Sequence, residues 1–345
     1  MLIIVTVLPK KINLSYCKGE VVIFMLLLKN EKIIPLMSLL IIENISNLNL
    51  WIAELKNQMP ELDVYVSNQK FDIDDIDAIL IWGHYSESLK HFPNLKVIMS
   101  ISAGVEDILR NTDLPEGVPI VRLVSPFLSL QVSEYVILSI LRFHRHDLQY
   151  QELRKIRKWE QLPIISCNCF KIGILGLGVI GLEVAQKLIN LGFSVRGWSK
   201  NPKHIDGIDC FYGNHQLQYF LSGCQIIVCL LPLTHETVNI LDRNIFYSLP
   251  KGAYLINVAR GEHLVEEDLL EALTSEQLSG ACLDVFRIEP LPKNHPFWTN
   301  AKIVITPHIA SQIIPSQQVT LVINAISRLR SGLPFINVVN PQNGY

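Results

Sequence analysis

From Ser38 onward the chain alternates short apolar runs with longer segments in which apolar residues recur at helical spacing. Apolar runs of this length are typical of buried strands, and their alternation with helical segments indicates a parallel α/β sheet. The strands predicted in the first half are Leu39–Ile42, Asp63–Val66, Ala78–Trp82, Val97–Ile101 and Pro119–Leu123. A helix through Trp51 and Leu55 is predicted to end before Pro60.

The same alternation continues in the second half of the chain. Helical spacing predicts one long helix from about Val132 to Arg157 and a last helix from about Pro315 to Ser331. The strands predicted between them are Phe170–Leu175, Ser194–Trp198, Ile226–Leu230, Ala253–Asn257, Ala281–Val285 and Ile303–Ile305. The pattern therefore predicts an α/β protein throughout.

Residues 1–36 do not fit this pattern. Their apolar run Val21–Leu28 is shorter than a membrane span requires, and no small-residue cleavage site of signal-peptide type follows it. A membrane or targeting role is therefore disfavoured. Two interpretations stay open: a poorly packed extension, or translation upstream of a true start at Met25 or Met37.

Composition narrows the class of protein. A chain of 345 residues predicts about two domains, and 49% hydrophobic with 18% charged residues is ordinary for a soluble globular protein. The net charge of −2 gives no general attraction to nucleic acid or to a membrane surface. The 7 cysteines are scattered without a C-x-x-C pair, which favours free thiols in a reducing, cytoplasmic compartment and no metal site.

A glycine-rich turn follows the strand that ends at Leu175. Gly176, Gly178 and Gly181 form the pattern G-x-G-x-x-G between that strand and a helical segment. This is the context that a dinucleotide-binding turn requires, with the pyrophosphate at the positive end of the helix. The alternative is a glycine-rich turn that binds nothing.

The next strand ends in Trp198-Ser199-Lys200, where a Rossmann fold usually has an acid for the adenosine ribose. No Asp or Glu occurs between Val184 and Ile205, whereas Lys200 and Lys203 do. Lysines in place of the acid suit a 2′-phosphate and favour NADPH over NADH. The alternative is that these lysines are ordinary surface residues.

Later predicted strands end in segments with candidate catalytic side chains. Arg260 suits a substrate carboxylate, His308 suits proton donation, and Glu289 suits the other imidazole nitrogen, which would favour the charged ring. Because ligands of a doubly wound sheet bind outside the carboxyl ends of its strands, these residues are predicted to face the cleft at Gly176. Taken singly, each has an ordinary structural explanation.

Seven motifs in order carry a resemblance that extends from about Ser38 to Tyr345. They are Ser102–Leu109, Gly176–Gly181, Trp198-Ser199, Leu231–Thr234, Asn257–Gly261, Leu283–Pro292 and Thr306–Ala310. The chain resembles the D-isomer-specific 2-hydroxyacid dehydrogenases and, within them, looks most like the glyoxylate/hydroxypyruvate reductase A group. The resemblance implies two Rossmann-like domains with parallel sheets, in which a cofactor domain is inserted into a discontinuous substrate domain.

The resemblance also implies roles for individual residues. Arg260 and His308 would be the catalytic pair, with Glu289 as the partner of His308. The implied cofactor-binding residues are Gly176, Leu177, Gly178, Val179, Ile180, Gly181, Trp198, Ser199, Lys200, Leu231, Pro232, Val258, Ala259 and Asp284. The implied substrate-binding residues are Trp82, Ala103, Gly104, Val105 and Arg260.

By resemblance, residues 37–125 and 311–345 would form the substrate domain and residues 126–310 the NAD(P)-binding domain, with no counterpart for residues 1–36. The expected protein is a homodimer that associates through the helix near 132–157; the alternative is that this helix packs only within its own chain. The expected reaction is NADPH-dependent reduction of glyoxylate and hydroxypyruvate, with NADH as a second cofactor. The alternatives are a reductase for a bulkier 2-oxo acid and a non-catalytic NAD(P)-sensing interaction protein.

Overall fold

The structure is a computed structural model that describes residues 37–42, 45, 47–83, 88–102, 104–111 and 113–340. All of these residues lie in one compact unit, Leu36–Tyr345. The predictions for residues 1–36 and for Ala103 lie outside the described residues.

The first sheet contains five parallel strands in the spatial order β2-β1-β3-β4-β5. They are β1 (Ser38–Ile41), β2 (Asp63–Val66), β3 (Ala78–Ile81), β4 (Val97–Ser100) and β5 (Ile120–Arg122). Every residue of β1, β3 and β4 is buried, which explains why these strands are continuous apolar runs. All five predicted strands are confirmed.

The second sheet contains seven parallel strands in the order β12-β11-β10-β9-β6-β7-β8. They are β6 (Lys171–Leu175), β7 (Ser194–Ser199), β8 (Ile208–Tyr212), β9 (Ile226–Cys229), β10 (Ala253–Asn257), β11 (Leu278–Leu283) and β12 (Ile303–Ile305). From β6 the chain continues to β7 and β8 on one side and then to β9 through β12 on the other side. At such a switch in strand order, a ligand crevice is expected at the carboxyl end of β6. The edge strand β8 was not predicted, because it is only partly buried and has no continuous apolar run.

Helices cover both sheets. They are α1 (Leu48–Gln58), α2 (Glu106–Leu109), α3 (Pro126–His144), α4 (Asp147–Lys155), α5 (Val179–Asn190), α6 (Gly213–Leu221), α7 (Arg243–Ser248), α8 (Glu266–Thr274) and α9 (Pro315–Arg330). The single long helix predicted over 132–157 is wrong: α3 and α4 are separate, because His146 between them has a left-handed φ of 58°. Within the described ranges, no helix has both the length and the apolar character that a membrane crossing requires.

The last helix returns to the first sheet. Although α9 follows β12 of the second sheet, its Val319, Val322 and Ile326 are fully buried in the same apolar cluster as Trp51 and Leu55 of α1. The second sheet has its own apolar clusters on its two faces. The chain therefore leaves the first sheet, builds the second, and comes back.

Candidate active site

The glycine-rich turn lies between β6 and α5, and two of its glycines are required by the backbone. Gly176 has a φ of 104°, and a Cβ there would lie 2.6 Å from the Leu230 carbonyl oxygen. A Cβ on Gly181 would collide with the carbonyl of Gly176, so this glycine permits the close packing of α5 on β6.

The start of α5 leaves space for an anion. Gly178 is the N-cap residue, its side-chain position has no heavy atom within 4 Å, and no side chain caps the helix there. Unsatisfied N–H groups and the positive end of a helix dipole favour a phosphate at such a position. Val179, in the first turn, is exposed, and Ile180 is partly buried against the core. The residues present therefore fit a dinucleotide.

The predicted cofactor residues at the end of β7, together with Leu177, are buried. Trp198 is buried, and its indole N–H donates to the Gly213 carbonyl at 3.0 Å. Ser199 is also buried, and its hydroxyl donates to the Asn201 carbonyl at 2.8 Å. Leu177 is buried against Gly197. Trp198 and Leu177 are thus packing residues, each in one of the two apolar clusters of the second sheet.

Two lysines lie across the carboxyl end of β6. Lys203 Nζ donates to the Leu177 carbonyl at 2.6 Å, within the glycine-rich turn itself. Lys200 Nζ contacts Glu236 Oε2 at 2.6 Å, and this hydrogen bond lowers the pKa of the exposed Glu236 carboxyl. Lys200 directly follows β7, and Glu236 comes after β9. Because β7 and β9 flank β6, the ion pair spans the glycine-rich turn that follows β6. Sequence reasoning missed Glu236.

The segments after β9 and β10 shape the next part of the crevice. Leu231 is buried, while the Pro232 carbonyl accepts a hydrogen bond from the Thr237 hydroxyl at 2.7 Å. Val258 is partly buried, and Ala259 is buried. Asn257 is fully buried and braces this segment: its Oδ1 accepts from the Ala259 amide at 3.2 Å, and its Nδ2 donates to the Arg260 carbonyl at 2.9 Å. Sequence reasoning did not assign Asn257 this positioning role, although it ends a predicted strand.

Asp284 is fully buried and organises the loop that carries His308. Its carboxylate accepts hydrogen bonds from the Thr306 hydroxyl at 2.6 Å and from the Ile309 and Ala310 amides at 2.8 Å each. The resemblance implied that Asp284 is a cofactor-binding residue. In the structure it contacts the 306–310 loop, an arrangement that only the tertiary structure reveals.

His308 and Glu289 form a hydrogen-bonded pair. Glu289 Oε2 lies 2.8 Å from His308 Nδ1, and Glu289 Oε1 accepts from the Phe286 amide at 2.9 Å. Burial raises the pKa of the Glu289 carboxyl, but the hydrogen bonds from His308 and Phe286 and the charges of His308 and Arg260 outweigh burial, so the net pKa is lowered. The ionised carboxylate accepts a hydrogen bond from Nδ1, so the other ring nitrogen, Nε2, does not contact Glu289.

Arg260 links the two sheets. Its Nη1 donates to the Ala259 carbonyl at 2.7 Å, and its Nε pairs with the Glu106 carboxylate of α2. A Cβ on Gly104 would lie 2.6 Å from Arg260 Nη2, which places the Gly104 backbone beside the guanidinium. The charge of Arg260 also acts on Glu289. The structure therefore brings Arg260, Glu289, His308 and Gly104 into one site.

The remaining predicted substrate residues have different environments. Val105 is buried in the core of the first sheet, and Trp82 is 39% exposed at the carboxyl end of β3. Glu106, which follows directly in the same motif, was not predicted, although a charge next to a glycine-containing substrate loop is a signal that could have identified it. Among the described residues, no group of His, Cys, Asp and Glu side chains could hold a metal ion.

Comparison with known sequences agrees with this architecture. The family described as D-isomer specific 2-hydroxyacid dehydrogenase, NAD binding domain, matches residues 137–310. A glyoxylate/hydroxypyruvate reductase A of Serratia proteamaculans is 42% identical over 300 residues, which are 86% of this chain and 96% of that protein. The protein of the same name from Yersinia enterocolitica is 39% identical over the same shares of the two chains.

Solved structures give the same result. A D-isomer specific 2-hydroxyacid dehydrogenase from Xanthobacter autotrophicus, in complex with NADPH and MES, superposes with a TM-score of 0.86 at 34% identity, over 90% of this chain and 100% of that one. An NADPH-dependent glyoxylate/hydroxypyruvate reductase from Sinorhizobium meliloti, in complex with NADP and sulfate, gives 0.84 at 33% identity over the same shares. With a dinucleotide turn, an arginine and a carboxylate–histidine pair at one sheet edge, this chain belongs to the family of D-isomer specific 2-hydroxyacid dehydrogenases.

Proposed function

We propose that the protein reduces small 2-oxo acids, glyoxylate and hydroxypyruvate first, with NADPH as the hydride source. One observation carries the proposal: Arg260 and the Glu289–His308 pair lie in one site, on segments that follow strands of the sheet that carries the glycine-rich turn. A cation for a carboxylate, a proton donor and a dinucleotide turn are the parts that reduction of a 2-oxo acid requires. The names of the sequence relatives support this substrate class.

Arg260 binds the substrate carboxylate through its Nη groups and polarises the neighbouring carbonyl. A planar guanidinium suits this task because it presents two parallel donors to a carboxylate. The backbone around Gly104 closes the other side of the anion site, because a side chain there would occupy the space beside Arg260 Nη2. A carboxylate bound in this way has its adjacent carbonyl group in the same site as His308.

His308 donates a proton from Nε2 to the carbonyl oxygen as that oxygen becomes a hydroxyl. The hydrogen bond between Nδ1 and Glu289 holds the ring orientation and balances the charge of the imidazolium. A bound nicotinamide would supply the hydride for C2. His308 ends the step neutral and is reprotonated from solvent, to which its side chain is 47% exposed.

The cofactor preference rests on the adenosine end of the crevice. No acid lies between Val184 and Ile205, whereas Lys200 and Lys203 lie beside the glycine-rich turn. Cations at this position favour a 2′-phosphate, and both structural relatives above contain NADPH or NADP. NADPH is therefore the preferred cofactor.

The organisation of the chain follows the same family pattern. Residues 37–125 and 311–345 form the substrate domain and residues 126–310 the cofactor domain, which the return of α9 to the first sheet supports. The partner is a second copy of the chain, bound through α3 and α4. Exposed apolar side chains support this homodimer: Leu138 in α3, and Ile156 and the fully exposed Trp159 directly after α4. The compartment is the cytoplasm, which the free state of the cysteines among the described residues favours.

The loss of NADPH absorbance, followed with a panel of 2-oxo acids, tests the function. Glyoxylate and hydroxypyruvate are expected to give the highest kcat/KM, and NADPH is expected to exceed NADH. If kcat/KM is highest with a bulky 2-oxo acid, the assignment of glyoxylate and hydroxypyruvate as substrates is wrong. Tight NADPH binding without turnover on any acid would favour a non-catalytic, cofactor-sensing protein.

A further inference from the structure

We infer that Glu106 is a positioning residue for Arg260, and that its carboxylate sets how tightly the site holds a substrate carboxylate. This inference rests on the proposed function, because it concerns the same anion site. Glu106 is the first residue of α2, which follows the Gly104–Val105 backbone of the first sheet. Arg260 follows β10 of the second sheet, so the pair joins segments that are 154 positions apart.

The guanidinium of Arg260 is held on two sides. Glu106 Oε1 accepts from Nε, and the Ala259 carbonyl accepts from Nη1 at 2.7 Å. Both side chains of the ion pair are largely buried, with 26% exposure for Arg260 and 11% for Glu106. Nη2 then lies beside Gly104, at the point where the substrate carboxylate is expected, and Glu106 Oε2 lies beside the same glycine. Glu106 therefore fixes the direction in which the remaining donors of Arg260 point.

A neighbouring ion pair shows that docking of α2 does not depend on Glu106 alone. Arg110, directly after α2, pairs with Glu262 at 3.3 Å and so joins the same two segments. In this pair the cation lies on the α2 side and the anion after β10, the reverse of the Glu106–Arg260 pair. This second pair is more exposed, with 53% exposure for Arg110 and 32% for Glu262. It does not involve the side chain of Arg260. It therefore provides a matched control for the contact between the two segments.

Glu106 has two separable effects on Arg260. Its oxygen accepts the Nε hydrogen bond, which orients the guanidinium, and its negative charge reduces the positive potential that an incoming carboxylate meets. Glutamine retains an acceptor oxygen but removes the charge. Alanine removes both. The two substitutions therefore distinguish orientation from charge.

The test compares Glu106→Gln, Glu106→Ala and the control Glu262→Gln in the full-length chain. Glu106→Gln is expected to lower KM for glyoxylate several-fold and to keep kcat within about threefold of wild type, because the orienting hydrogen bond survives. Glu106→Ala is expected to lower kcat/KM by about 10- to 100-fold, since a misplaced binding group loses orientation. Glu262→Gln is expected to leave both constants near wild type.

Two binding measurements separate this role from a loss of folding or of the proposed function. The NADPH Kd and the Tm of each variant report whether the fold is intact. Oxalate, an unreactive dicarboxylate, is titrated by calorimetry into the NADPH complex, and its affinity is expected to rise in Glu106→Gln and fall in Glu106→Ala. Oxalate binding needs no turnover, so it tests Glu106 even if wild type reduces no 2-oxo acid. The inference is overturned if Glu106→Ala keeps wild-type kcat/KM and oxalate affinity, or if Glu106→Gln weakens oxalate as much as Glu106→Ala does.

Discussion

Glu289 Oε2 lies 2.8 Å from His308 Nδ1, while the backbone amide of His308 donates to the Asp284 carbonyl at the same distance. The ring of His308 is thus held by one acidic residue and its backbone by another. His308 needs this support because its φ of 54° lies in the left-handed region, which is unfavourable for a residue with a Cβ.

Replacement of His308 by alanine tests the proton donor. We expect kcat to fall on the order of 10²- to 10⁴-fold, which is the usual contribution of a positioned acid–base group. The NADPH Kd is expected to remain within about twofold of wild type, because the glycine-rich turn is a separate part of the site. Stopped-flow reduction and fluorescence titration measure the two quantities. A near-normal kcat would contradict the assignment of His308.

The lowered pKa of Glu289 makes a prediction for stability. A carboxyl whose pKa is lower in the folded than in the unfolded state stabilises the fold above the unfolded value, and this contribution is lost as pH falls through the folded value. Wild type is therefore expected to lose more stability than Glu289→Gln when the pH falls from neutral to below 4.5, the ordinary value for this carboxyl. Urea unfolding of both proteins at the two pH values measures the difference. Equal losses would exclude the stabilising role of this carboxylate.

Asp284→Asn tests the loop that carries His308. The new amide keeps one acceptor oxygen, but its NH2 group replaces Oδ2 and faces the Ala310 amide, which then lacks an acceptor. We expect a loss of about 1–3 kcal/mol in the free energy of unfolding, the cost of an unsatisfied buried group, together with a lower kcat.

Thr306→Val is the milder comparison for Asp284→Asn, because it leaves both backbone amides paired. It removes the hydroxyl that donates to Asp284 and that also contacts the Tyr135 hydroxyl, which keeps its contact with Cys282 Sγ at 3.3 Å. A loss of about 1 kcal/mol is expected. Urea unfolding ranks the two variants, and the reverse order would contradict the proposed importance of the Asp284 carboxylate.

Glu236→Gln tests the ion pair across the glycine-rich turn. The carboxylate competes with a 2′-phosphate for Lys200, so its removal is expected to lower KM for NADPH by about two- to fivefold, the scale of an exposed ion pair. KM for NADH is expected to stay the same, because NADH has no 2′-phosphate. Lys200→Ala should act in the opposite direction on NADPH. Parallel changes for both cofactors would refute the competition.

Two glycines of the turn give a matched pair of substitutions. A Cβ at Gly178 has no heavy atom within 4 Å, so Gly178→Ala is expected to preserve the Tm and to weaken NADPH binding at least tenfold by filling the pyrophosphate position. A Cβ at Gly181 would collide with the Gly176 carbonyl, so Gly181→Ala is expected to lower the Tm as well. Thermal unfolding with and without NADPH distinguishes the two. Unchanged NADPH affinity in Gly178→Ala would show that the pyrophosphate does not bind at this turn.

Most of the strands could be predicted because a strand buried on both faces is a continuous apolar run, and such a run is a local property of the sequence. The predicted strand Ala253–Asn257 coincides with β10 for this reason. The same reasoning failed at β8, an edge strand whose exposed positions interrupt the run. The apolar spacing also predicted one helix where the structure has α3 and α4, because spacing does not reveal the left-handed backbone of a single residue, His146.

The sequence by itself determined the parallel α/β architecture, the glycine-rich turn and the order of the motifs that end the strands, because each depends on residues close together in the chain. Only the tertiary structure decided which side chains meet. The burial of Trp198, the contacts of Asp284 with the 306–310 loop, and the pairing of Glu106 with Arg260 all depend on how separate segments pack. Glu106 and Arg260 are 154 positions apart, and no local pattern encodes a contact at that separation.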